Sequence, residues 1–298
     1  MYRGSLGWAL RQLGRVLNDR NADGSISLYL GSTTSKIGIQ RAVAALDDAQ
    51  QQIFYDLLDA DANREMLARE VPLTAVSGDT ISYSVTPRTI EVWGLRDSLM
   101  DTDDDPLMAI HGTDYAEVGY SMGPRGETIK FHNWIPDASL TYYLRVSEEP
   151  ASLTYGGFLQ AESGSTVALL ADTAEYGDLV LGDDEYNGMQ LVVESGTTGK
   201  GLKRDITDWA NAGDTTTASL GSSWTISDDA KYSIGFTLPR AAHQLIILKA
   251  ATYAAHWVYK DQIDILENRF NRAWASAIDR LRKMSNDSYP KPWIVRSY

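Results

Sequence analysis

Two structural grammars divide this sequence, and their order constrains the fold more than any other feature. Helix-type periodicity occupies both ends. Strand-type sequence fills the middle, and within it lies a Gly/Thr/Asp-rich stretch from about Gly157 to Ser233. At the N-terminal end Leu6, Leu10, Leu13 and Leu17 recur at i, i+4, i+7 and i+11, so Ser5 to Asn18 is expected to form an amphipathic helix. A second helix is expected to run to about Leu58, with Ile39, Val43, Leu46, Ile53 and Leu57 on one side and a cap from Thr33, Thr34 or Ser35. A short third helix is expected over 60–69. Leu238-Pro239 opens the longest helical pattern, because a proline at the first helical position loses no needed N–H. That pattern runs to about Ser285, ~70 Å if straight, with a kink expected near Tyr259–Asp261.

The grammar changes at Val71. Thr80–Val85, Thr89–Leu95, Glu127–Trp134 and Leu140–Val146 are β-branched and aromatic runs with prolines between them, which is a small sheet. Within 157–233 short strand candidates recur about every ten residues between Gly, Asp, Asn and Ser, as in a β-sandwich or small barrel. The fold expected is α+β: a helical bundle with a long C-terminal helix and a small β-sheet, plus an inserted β-sandwich of immunoglobulin-like type. The expected domains are 1–156 with 234–298, the insert 157–233, and an extended tail over 286–298.

Charge and composition remove several functions. The net charge of the 298 residues is −13. The stretch 157–233 holds thirteen acids and four bases, a net of −9, which leaves −4 elsewhere. A chain this acidic, without a basic cluster, is a poor ligand for nucleic acid, because phosphate contacts dominate that affinity. It remains compatible with a surface past which DNA slides. Cysteine is absent, so thiolate nucleophiles, thiolate metal sites and disulfides are excluded. No apolar run reaches a membrane-spanning length, and the N-terminal leucines are interrupted by Arg11, Gln12 and Arg15, which rules out a signal peptide's apolar core.

Candidate chemistry is sparse. Asp19, Asn21 and Asp23, followed by Gly24 and Ile26, match the opening of a calcium loop, but the closing acid is replaced by Leu30; the alternative is an Asx-rich turn after a helix. The acidic run 101–105 reads as a solvated loop. His111, His132, His243 and His256 lack zinc-binding spacing. No nucleophile-elbow motif occurs, and no carboxylate pair stands out. These readings predict no enzyme, no cofactor and no metal. Tyr176, Tyr186, Trp209 and Trp224 could present a sugar-stacking face, or fill the core of the inserted domain.

Two stretches carry a resemblance. The N-terminal helices, together with TLPRAAHQLIILKAATYAAHWVYKDQIDILENRFNRAWASAIDRLRKM, resemble the adaptor, or connector, proteins that join portal to tail in tailed phages, short-tailed ones above all. The insert resembles a small β-domain of phage virion proteins. The residues that carry this are Tyr186-Asn187-Gly188-Met189, then Lys203-Arg204 and Ile206-Thr207, then Trp224 and Tyr232. The resemblance implies a virion protein of the phage neck, assembled in the host cytoplasm as a ring of twelve copies beneath the portal. It implies the portal protein, a tail or nozzle protein and other copies of itself as partners, with tail fibres on the β-insert. DNA would pass through its channel without sequence-specific binding, and no membrane would be involved. On this reading Trp293, Ile294 and Tyr298 meet the portal, while Ile263, Leu266, Phe270, Trp274 and Ile278 pack subunits together. The alternative is an oligomeric binding module whose β-insert recognises a glycan or other ligand.

Overall fold

A computed structural model of the chain describes residues 4–60, 67–75, 82–84, 88–97, 108–111, 118–122, 128–131, 142–158, 162–176, 185–212, 215–236, 238 and 240–288. In chain order the elements begin with helices α1 (Leu6–Val16) and α2 (Ile39–Asp59). Eight strands follow: β1 (Ala68–Pro72), β2 (Thr74–Ala75), β3 (Ser82–Ser84), β4 (Thr89–Asp97), β5 (Met108–His111), β6 (Val118–Met122), β7 (Thr128–Phe131) and β8 (Tyr142–Glu148). Six more are β9 (Thr154–Phe158), β10 (Glu162–Tyr176), β11 (Gln190–Ser195), β12 (Lys203–Ala212), β13 (Thr215–Ile226) and β14 (Lys231–Ile234). Helices α3 (His243–Val258) and α4 (Ile263–Ser288) close the chain, with a 3-10 turn at Lys260–Gln262 between them. Two compact units result: Met1–Ala60 with Pro150–Asp279, and Asp61–Glu149 with Arg280–Tyr298.

The first unit corrects the expected fold class. Its strands form a closed barrel in the order β10-β13-β12-β11-β14-β9, with β9 pairing back onto β10. It is neither an immunoglobulin-like sandwich nor an appendage to a helical bundle. Strand spacing in the sequence reveals strand count, but closure depends on whether the first and last strands meet. Here β9, with Gly156 and Gly157, supplies the closing strand. It pairs with β14 on one edge and β10 on the other. A barrel this small is filled by its own side chains. Tyr186, Trp209 and Tyr232 are the largest fully buried side chains among the described residues. Trp224 joins them, edge-on to Phe158 at 5.9 Å, and Tyr186 packs against Trp209 at 4.5 Å.

The helices form as their stripes dictate. Leu6, Leu10, Leu13 and Leu17 are all buried, and Ser5 caps α1 by accepting from the Trp8 amide at 3.3 Å. In α2 all five residues of the expected stripe are buried. Its cap differs from expectation. Gly38, at φ 77°, holds the N-cap position, and two of the three hydroxyls expected to cap it turn back to the preceding loop. Ser35 donates to Asp19 Oδ2 at 2.7 Å and Thr34 to Asn21 Oδ1 at 2.8 Å. The third helix expected over 60–69 is replaced at its end by β1, and its 61–66 portion lies outside the described residues. The long C-terminal helix is two helices. The break falls at Tyr259 (φ −121°, ψ 49°), inside the expected kink.

The second unit is an eight-stranded sheet in the order β1-β8-β4-β5-β6-β7-β3-β2, larger than the four strands expected. All its pairings are antiparallel except β5 with β6. Val92, Leu144 and Val146 are buried where β4 and β8 pair.

Candidate interaction surfaces

Three arrangements in the first unit position its side chains. The first joins barrel to helix. Glu194, at the end of β11, accepts from the Gly7 amide in the first turn of α1 at 3.0 Å and from the Ser233 hydroxyl of β14 at 2.7 Å. A carboxylate there meets unsatisfied amides and the positive end of the helix dipole together. Past β14, the Phe236 amide donates to the Gly4 carbonyl at 3.2 Å, and His243 packs its ring against both Phe236 and Trp8. A Cβ on Gly235 would collide with the Gly4 carbonyl, so only glycine allows this approach.

The second arrangement holds the chain entering the barrel. Asp47 accepts from the Leu153 amide at 2.9 Å, and Gln50 donates to the Ala151 carbonyl at 2.8 Å. Gln51 donates to the Pro150 carbonyl at 2.6 Å. Burial raises the carboxyl pKa of Asp47, against the hydrogen bonds that lower it.

The third is a groove between α2 and α3. Asp48, Gln51, Gln52 and Tyr55 line it from α2, at helical spacings that put them on one face. Tyr253, His256 and Trp257 line it from α3 at i, i+3 and i+4. The groove is open and holds about 500 Å³. Tyr55 is 42% exposed and Trp257 46%, high values for rings of their size. Burial, then the charges of Asp48 and Asp56, raise the phenol pKa of Tyr253.

The residues singled out by sequence fall differently. Asp19 is fully buried and serves as an acceptor for Ser35. Asn21 accepts from Thr34, and Asp23 accepts from the Ser25 amide at 2.9 Å. The loop is thus an Asx-type turn bonded to itself, and no group of three or more His or acidic residues that could hold a metal occurs among the described residues. Of the residues expected to pack subunits, Leu266, Phe270 and Ile278 are buried within a single copy, while Ile263 and Trp274 are half-buried. Lys249 of α3 lies over the Phe270 ring at 5.0 Å. Trp293, Ile294 and Tyr298, and the acidic run 101–105, lie outside the described residues. Tyr186, Trp209 and Trp224 face the barrel core, so they form no exposed sugar-binding face.

Sequence reasoning passed over the groove. Its signal is phase: Tyr55 lies on the side of α2 opposite its buried stripe, where a large aromatic is out of place on a solvated face. No helix among the described residues is long and apolar enough to cross a membrane. Among known proteins, no family model and no curated sequence matches this chain.

Proposed function

We propose that this chain is a structural head-to-tail adaptor of a tailed phage. It forms a ring of twelve copies beneath the portal, extends the DNA channel, and gives tail or nozzle proteins and fibres a place to attach. It performs no catalysis; its function is geometric. Support comes from the resemblance carried by the terminal helices and from one structural observation. The helices that carry the barrel hold Tyr55 and Trp257 outward in a wide groove. Large aromatics presented by a rigid helix pair are typical anchors of protein–protein contact. On this reading Trp293, Ile294 and Tyr298 of the tail contact the portal.

The test is electron microscopy of the protein mixed with its portal ring, with each component alone as control. A second ring stacked coaxially on the portal is the expected result. Portals that stay bare beside free protein would refute the reading. Removing 286–298 is expected to abolish stacking; stacking that survives would reassign the portal contact away from the tail.

A further inference from the structure

We propose that the α2/α3 groove of one copy is filled by the outer face of α4 from the next copy, a pairing that rests on the ring reading above. The two surfaces match in charge. Asp48 lines the groove beside the rings of Tyr55, Tyr253 and Trp257, and the charge of Asp56 also reaches the Tyr253 phenol. On α4, Ile265 is the most exposed of the described large hydrophobic residues, at 61%. Arg269 and Arg272 follow it at i+4 and i+7, so all three share the side turned away from buried Leu266 and Phe270. Both arginines are exposed, and neither makes an ion pair among the described residues.

Guanidinium groups suit this groove because they stack on aromatic faces and pair with carboxylates at once. The spans also agree. Ile265 to Arg272 and Asp48 to Tyr55 are each seven residues of helix, about 10 Å. The two patches differ and lie on one unit, so the contact is head-to-tail, the kind that closes into rings.

Sedimentation of the full chain and two variants tests this. One variant removes the groove anchors (Tyr55→Ala with Trp257→Ala). The other reverses the helix face (Arg269→Glu with Arg272→Glu). All four side chains are exposed, and thermal melts check that both variants fold. Wild type is expected to self-associate, less so in high salt. Each variant alone is expected to associate at least about ten-fold more weakly. Mixed in equal amounts, the two should form a dimer and nothing larger, since one intact groove then meets one intact face. A mixture that fails to pair, variants that associate like wild type, or a wild type that stays monomeric would each overturn the pairing. Failure of the adaptor reading has a separate signature: wild type leaves portals bare in the microscope whatever these variants do in solution.

Discussion

Glu194 offers a quantitative test of how the barrel is joined to the helices. One carboxylate oxygen accepts from the Gly7 amide at 3.0 Å and from the Ser233 hydroxyl at 2.7 Å. A hydrogen bond to a charged group contributes about 1.5–3 kcal/mol, and a carboxylate at a helix N-terminus about 0.3–1 kcal/mol. The site is only partly buried, so water can reach the amide after truncation and the lower values apply. Glu194→Ala is therefore expected to cost about 3 kcal/mol, a fall of roughly 6–12 °C in Tm. Glu194→Gln keeps an acceptor oxygen and is expected to cost about 1 kcal/mol. A second substitution makes the test sharper. Gly7→Ala should help a helix by about 1 kcal/mol, yet its Cβ would lie 2.7 Å from Glu194 Oε2 and 3.0 Å from Leu30 Cδ1. In wild type the methyl displaces the carboxylate and destabilises. Combined with Glu194→Ala, the principal obstacle is gone and the change is expected to become neutral or stabilising. Denaturant unfolding followed by far-UV circular dichroism measures all four proteins. A Gly7→Ala effect of the same size and sign in both backgrounds would refute the joint.

Two carboxyls and one ring of the first unit respond to substitution in opposite ways. Asp47 has a raised pKa through burial, so its contribution to stability is full below the ordinary carboxyl value of 3.8 and is lost as pH rises through its folded value. Asp47→Asn, which keeps the acceptor for the Leu153 amide, is expected to raise Tm at pH 7, and the gain should vanish near pH 4; an equal gain at both would contradict it. Asp229 behaves oppositely. Hydrogen bonds from Ser227 and Thr197 lower its carboxyl pKa to about 2, so its contribution is present above 3.8 and lost as pH falls through about 2. Acid titration by NMR should give that low midpoint, and Thr197→Val with Ser227→Ala should move it up toward 3.8. Trp209 fills the barrel with an indole N–H that has no partner among the described residues. Trp209→Ala is expected to cost about 3–5 kcal/mol in melts, and Trp209→Phe clearly less, because the phenyl keeps most of the volume and removes the orphan donor.

The parts of the fold legible in sequence were those fixed by local periodicity. The leucines of α1 and the apolar stripe of α2 needed only a helical repeat to be read, and both stripes are buried. The break at Tyr259 was legible as a kink. Its partner was not: Asp19, which looked like a cation ligand, lies beside the buried Tyr259 hydroxyl, and burial with that carboxylate's charge raises the phenol pKa. Nothing local joins residues so far apart in the chain. Barrel closure was hidden for the same reason. The closing strand reads TYGGF, whose glycines suggest a loop, and it becomes a strand only because β10 and β14 flank it. The aromatic residues Tyr186, Trp209 and Trp224 were legible as either a binding face or a core; the strands that carry Trp209 and Trp224, and the turn that carries Tyr186, direct them inward.

Closure also decides how the molecule can meet partners. A closed barrel has no edge strand to which another chain could add by backbone pairing. The eight-stranded sheet does have ends, β1 and β2, but both are poor templates. β1 finishes at Pro72, which lacks an N–H to donate, and β2 is two residues long. Short strands and edge prolines are the features that protect sheets from strand addition. Among the described residues, then, association falls to side chains, and the three most exposed of the large hydrophobic ones sit on helices: Tyr55 and Trp257 in the groove and Ile265 on α4. A surface of that kind is tuned one side chain at a time. Trp257→Ala alone should therefore weaken assembly by an amount comparable to the Tyr55 and Trp257 pair, if the indole is the groove face on which the neighbour's arginines stack. A single-variant effect much smaller than the pair's would place the anchor at Tyr55 instead.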